Sequence, residues 1–305
     1  MLETYSLYVI PEPGKDRKMS DVHETKTVAL PQGTVSYRDL GDGEPIIFVH
    51  GLLVDGRLWT GVAERLASDL RCLVCDWPMG SHRIAMNPDA DLSPPGMADV
   101  VVAFMDALEI ERATLVGNDT GGAISQIVTA NHPDRVERLV LTNCDLLDRF
   151  PPFPFSLMPP IARLPGGMTL LAAPFRIAAV RRSTYGMLVK HPIPPELADD
   201  WLAPSLADAG VQRDARKLTA GAHKRHTLAA AEALRGFERP VRFAWAPEDR
   251  FFRLADAERL AAMVPDGRIE PVLDAKTFVS LDQPQRVAEL VAGFVREGRA
   301  SEAPI

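Results

Sequence analysis

Residues 115–125 place an acid, Asp119, between Gly117 and Gly121, with Gly122 following directly. A strand that enters a helix through glycines two places before and two places after a central residue makes a tight elbow. That elbow pushes the middle side chain into open space. Glycines suit such a turn because strand and helix cross too closely for a Cβ. The carboxylate of Asp119 is then a nucleophile for covalent catalysis. The helix N-terminus beneath it favours the ionised form, and the Thr120 N–H is a donor for an oxyanion. Glycine-rich strand-to-helix turns also cradle phosphates, but the order here is G-x-x-x-G-G and not G-x-G-x-x-G, and a carboxylate at the helix start repels a pyrophosphate.

Such an elbow needs a sheet behind it. Short β-branched runs at 25–29, 35–38, 45–49, 71–75, 113–116, 138–142, 241–245 and 268–273 read as strands. Helical stripes fall between them: Met97, Val101, Phe104, Met105 and Leu108 form one, and Val287, Leu290, Val291 and Phe294 form another, with Pro284 in its first turn. This alternation predicts an α/β fold with a mostly parallel sheet flanked by helices, opened by a short antiparallel hairpin. The pattern stops at 146–235, where prolines crowd and the β signal vanishes, which predicts an inserted helical cap. The core is then 25–145 with 236–297. Residues 1–24 read as an N-terminal extension, of which 1–18 are dispensable if Met19 is the true start, and 298–305 read as a tail.

Beside the elbow stands Phe48-Val49-His50-Gly51-Leu52, directly after a strand. With these two motifs the chain resembles the α/β-hydrolase superfamily, in particular the branch of epoxide hydrolases, haloalkane dehalogenases and fluoroacetate dehalogenases, from about residue 25 to 295. The resemblance implies an α/β-hydrolase fold, a second oxyanion N–H from Leu52, and a structural His50. It places the second acid of a catalytic triad at Asp249, with Glu248 as its neighbouring rival, and makes Asp145 a secondary candidate at another strand end.

The triad histidine is where the resemblance breaks. The family reads Gly-His-Phe in the loop that here reads Lys276-Thr277-Phe278, while Phe278, Asp282 and Pro284 match. A threonine hydroxyl cannot act as a base near neutrality, and a positioned base ordinarily speeds its step by roughly 10²–10⁴-fold. Three accounts stay open. Another histidine does the work, His82 or His226. Asp119 is a base or anchor for a substrate that is rearranged and not hydrolysed. Or the chain is a ligand-binding pseudoenzyme.

Residue types also bear on substrate. Haloalkane dehalogenases hold the halide with a tryptophan after the nucleophile and an asparagine after His-Gly; Thr120 and Leu52 offer neither N–H. Fluoroacetate dehalogenases place an arginine where Thr120 stands. Epoxide hydrolases use two lid tyrosines, and this lid has only Tyr185, leaving Trp201 or His226 as further donors. Tyr185, Trp201, Thr277 and Phe278 are expected to line the substrate pocket. The expectation is cofactor-independent hydrolysis of a small or medium apolar electrophile, epoxides before haloalkanes.

Composition sets the outer bounds. The 305 residues carry 34 Lys and Arg against 41 Asp and Glu, and a net charge of −7 argues against a nucleic-acid partner. The most hydrophobic stretch, 168–189, carries Arg176, Arg181 and Arg182, so it reads as lid helices and no membrane partner is expected. Cys72 and Cys75 sit in a strand that sends them to opposite faces, so neither a metal site nor a disulfide is expected. The start has no signal-peptide pattern, which suits a cytoplasmic protein. The partner is a small molecule, and a homodimer is left open.

Overall fold

In a computed structural model the described residues are 24–302; the extension up to residue 23 and residues 303–305 of the tail lie outside them. Eight strands form one sheet: β1 (Lys26–Leu30), β2 (Gly33–Leu40), β3 (Glu44–Val49), β4 (Leu70–Asp76), β5 (Ala113–Asp119), β6 (Val136–Cys144), β7 (Val241–Trp245) and β8 (Gly267–Pro271). Their order across the sheet is β1-β2-β4-β3-β5-β6-β7-β8. Strand β2 runs antiparallel to β1 and β4, and every other pairing is parallel. Each β-rich run in the sequence becomes one of these strands.

Parallel neighbours need crossover connections, and helices supply them. Helix α1 (Thr60–Leu66) links β3 to β4, α2 (Pro94–Ala107) links β4 to β5, and α3 (Thr120–Asn131) links β5 to β6. Side chains alternate between the faces of each strand. Ile46 and Phe48 of β3 join α1 in one core, while Ile47 and Val49 join α2 and α3 in the other. Cys72 and Cys75 separate between the same two cores, and all three cysteines are free and buried. Because α1 and α2 leave on opposite faces, the chain reverses its direction of travel across the sheet between β3 and β5. A crevice opens at the carboxyl ends of strands at such a switch point. That is where Leu52 and Asp119 lie.

Between β6 and β7 the described residues contain no strand. Six helices fill the interval: α4 (Met158–Arg163), α5 (Gly167–Ala172), α6 (Ala178–Leu188), α7 (Pro195–Ala207), α8 (Ala209–Gly221) and α9 (Lys224–Leu234). Prolines open α4 and α7, where the missing N–H has no cost. Asp208 caps α8 by accepting from Gly210 and Val211 N–H. Pro204, by contrast, lies inside α7 and does not end it. The chain closes with α10 (Leu254–Ala261), α11 (Val279–Asp282) and α12 (Pro284–Glu302).

The insertion is bound to the core by buried polar contacts. Trp201 of α7 donates its Nε1–H to Asp55 Oδ1 at 2.9 Å, and Arg57 holds the same carboxylate and Asp200 as well. Ser81 donates to the Trp201 carbonyl and Ser205 to the Gly80 carbonyl. Trp201→Phe removes one donor from a buried carboxylate and part of a buried ring, so unfolding in urea should show a loss of at least about 1–3 kcal/mol.

Candidate active site

Asp119 ends β5 and begins α3 with φ 53° and ψ −131°, a conformation that side-chain-bearing residues avoid. The neighbours impose it. A Cβ at Gly121 would stand 2.2 Å from the Val49 carbonyl and 2.3 Å from that of His50, so only glycine lets the helix start cross the end of β3. A Cβ at Gly51 would stand 2.3 Å from Asp119 Oδ2, which shows how tightly the His-Gly turn grips the carboxylate.

The backbone N–H groups of Leu52 and Thr120 lie near enough to the Asp119 carboxylate to favour its ionised form. Those donors and the helix start favour ionisation, as the sequence implies, yet burial outweighs them and the nearby Asp249 adds to it. The Asp119 pKa is raised to about 7. The Thr120 hydroxyl reaches Asp119 and lies 3.4 Å from Asp145 Oδ2. Asp145 is itself fully buried, with Oδ1 unpartnered. Burial first, and the Asp119 charge second, push its pKa well above its usual value.

Asp249, after β7, accepts from Phe251 N–H at 2.8 Å and from the Thr277 hydroxyl at 2.9 Å. Asn118, one residue before the nucleophile candidate, donates to the Thr277 carbonyl at 2.7 Å. Thr277 is thus joined to Asp249 through its hydroxyl and to Asn118 through its carbonyl. Glu248, the rival acid, is exposed and pairs with Lys190. Over Asp119 opens a cavity with about 840 Å³ of empty space, its mouth included. Leu53, Phe155, Met158, Phe175 and Leu188 make its walls apolar, and Tyr185, Thr184 and Thr219 bring the hydroxyls.

A model of the alpha/beta hydrolase fold family matches residues 44–284. The chain belongs to the alpha/beta hydrolase fold family. An uncharacterized protein of Mycobacterium tuberculosis is 26% identical over 276 residues, 85% of this chain and 77% of that one. Haloalkane dehalogenase 2 of Mycobacterium bovis is 26% identical over 275 residues, 85% of this chain and 91% of that one. The structure of haloalkane dehalogenase DbeA from Bradyrhizobium elkani superposes with a TM-score of 0.77 at 20% identity, over 92% of this chain and 99% of that one, a likeness of fold.

Within this alpha/beta hydrolase, several side chains expected at the site lie elsewhere. His50 is buried; its Nδ1–H donates to the Gly51 carbonyl and Nε2 accepts from Trp77 N–H, with burial lowering its pKa to about 4. That arrangement fits the structural role expected of it. His82 is buried and fastened to Asp214, 3.2 Å from Nε2, while Nδ1 accepts from Gly80 N–H. It clamps the loop after β4 to α8 and does not line the Asp119 cavity. His226 lines a separate surface hollow with Pro95, Ile127 and Ala230. Neither histidine is brought to Asp119. Of the expected pocket residues, Tyr185 lines the cavity, its hydroxyl donating to the Leu53 carbonyl. Trp201, Thr277 and Phe278 do not; they are buried behind the wall, and Trp201 commits its N–H to Asp55.

Among the apolar wall residues are Phe150 and Phe155 from the start of the insertion and Phe252 after β7. Among the described residues no three His, Cys, Asp or Glu side chains gather as metal ligands. Burial pushes the Cys72 thiol up to about 12, and the thiols of Cys75 and Cys144 well above their usual value, which leaves them poor nucleophiles.

Two outcomes follow from these placements. His82→Ala should destabilise the fold by about 1–3 kcal/mol, because Asp214 loses a buried partner, while the reactivity of Asp119 stays unchanged. The raised pKa of Asp119 means that the folded state binds its proton more tightly than the unfolded chain, so stability falls as pH rises from near 4 to 7. Asp119→Asn removes that loss. Its denaturation free energy should exceed wild type by a few kcal/mol at pH 8, at about 1.4 kcal/mol per pH unit between the two pKa values, with the difference gone near pH 4.

Proposed function

We propose that this protein is a cofactor-independent hydrolase in which the Asp119 carboxylate attacks carbon in a small or medium apolar electrophile, epoxides before haloalkanes. One observation carries the reading: a carboxylate that lines a large apolar cavity beside Leu52 and Thr120, whose N–H groups favour its charge. Those two donors suit the carbonyl oxygen of an ester on Asp119 and the oxyanion of its breakdown.

Attack forms an ester bond to a ring carbon and breaks its C–O bond, and the released oxygen needs a proton. The Tyr185 hydroxyl lines the cavity and could give it only by leaving the Leu53 carbonyl. A halide would meet no side-chain N–H at Leu52 or Thr120, which is why haloalkanes rank second despite the dehalogenase relatives. Water must then cleave the ester, and the Thr277 hydroxyl supplies no base for it. The ester on Asp119 is therefore long-lived.

Incubation with an apolar terminal epoxide should add the mass of the epoxide to the protein, with the label on Asp119. Its formation should rise with pH through about 7, as the carboxylate ionises, and level off above. Asp119→Asn should show no adduct. Thr277→His should speed release by roughly 10²–10⁴-fold; unchanged release would mean that the missing base does not belong at this position.

A second reading is favoured by the Asp119 pKa of about 7 in a cavity without imidazole. A carboxyl so poised suits proton transfer to and from a substrate that rearranges without water. Product that takes up no oxygen-18 from labelled water would select it over hydrolysis.

A further inference from the structure

Residues 149–195 contain six of the chain's 34 Lys and Arg residues and none of its 41 Asp and Glu. In a chain of net charge −7 this is a local reversal of sign. The same stretch bears six of the nine large hydrophobic side chains that are exposed among the described residues: Phe153 (73%), Leu157 (57%), Leu164 (58%), Leu170 (66%), Ile177 (59%) and Met187 (50%). They lie on α4, α5 and α6 and the links before and between them; α4 packs on α5, and both α5 and α6 pack on the turn at 173–176. Three arginines stand exposed among them, Arg163, Arg176 and Arg182. Arg182 shares its one carboxylate, Asp199, with Arg181.

Exposed apolar groups interleaved with arginines, in a stretch that itself carries no acid, match the boundary of an anionic lipid layer. The apolar side chains enter the acyl region and the arginines meet phosphate. We propose that this face of the helical insertion docks on an anionic phospholipid bilayer. The absence of a helix able to cross a membrane among the described residues concerns spanning, not docking. A second copy is a poorer occupant, because a two-fold contact would set the same arginines against one another. The segment that would touch lipid also lines the cavity, through Pro151, Phe155, Met158, Phe175 and Thr184. Docking would thus bring the cavity wall to the bilayer, where apolar substrates concentrate. The inference does not depend on the chemistry of Asp119.

The test is co-sedimentation of the full chain with vesicles of phosphatidylcholine alone and of phosphatidylcholine mixed with phosphatidylglycerol. Binding is expected to the mixed vesicles only, and to weaken with added salt. Arg176→Glu and Ile177→Asp should each lower it about fivefold or more, with circular dichroism unchanged. Leu157→Asp, at a separate exposed position, gives an independent check should either variant fold poorly. No binding to mixed vesicles, equal binding to both kinds, or variants that bind like wild type would each overturn the proposal. So would a lipid-free dimer that Ile177→Asp dissociates.

Discussion

The site depends on one steric constraint: α3 begins so close to the end of β3 that Gly121 must lack a Cβ, and Asp119 is forced to positive φ in consequence. A backbone in that state would relax if it were free to do so. It is held because β5 sits between β3 and β6, paired on both sides, and the helix N-terminus is packed into the sheet. The same crossing puts the carboxylate against Gly51 and within reach of the Leu52 N–H. Position, donors and direction of Asp119 are thus a single consequence of how tightly three elements meet.

Electrostatics at this floor set three carboxyl groups against each other in little water. Asp119 rises to about 7, and Asp145, with one unpartnered oxygen, and Asp249 are raised as well, burial being the largest cause for all three.

Thr277 sits in a loop fixed by its neighbours: Asp282 accepts from the Lys190, His191 and Lys276 N–H groups, and Phe278 is packed edge-on to Trp201. The Thr277 hydroxyl donates to Asp249 and satisfies that buried carboxylate without offering a base.

Local pattern alone identified the eight strands, the change from strands to helices after β6 and back at β7, and the strand-to-helix turn at Asp119, because each is encoded by spacing within a few neighbouring residues. The opposite-facing Cys72 and Cys75 were legible for the same reason. What pattern did not decide was which distant residues converge. His82, with a type suited to catalysis, is used to pair Asp214, 132 positions away, and Trp201 is used to satisfy Asp55, 146 positions away. Nor could spacing report that Asp119 would lose enough water to bring its pKa to about 7 against the pull of a helix start. Burial and partners arise from tertiary packing between residues far apart in the chain, and those two quantities determine whether an ionisable side chain is chemistry or scaffolding.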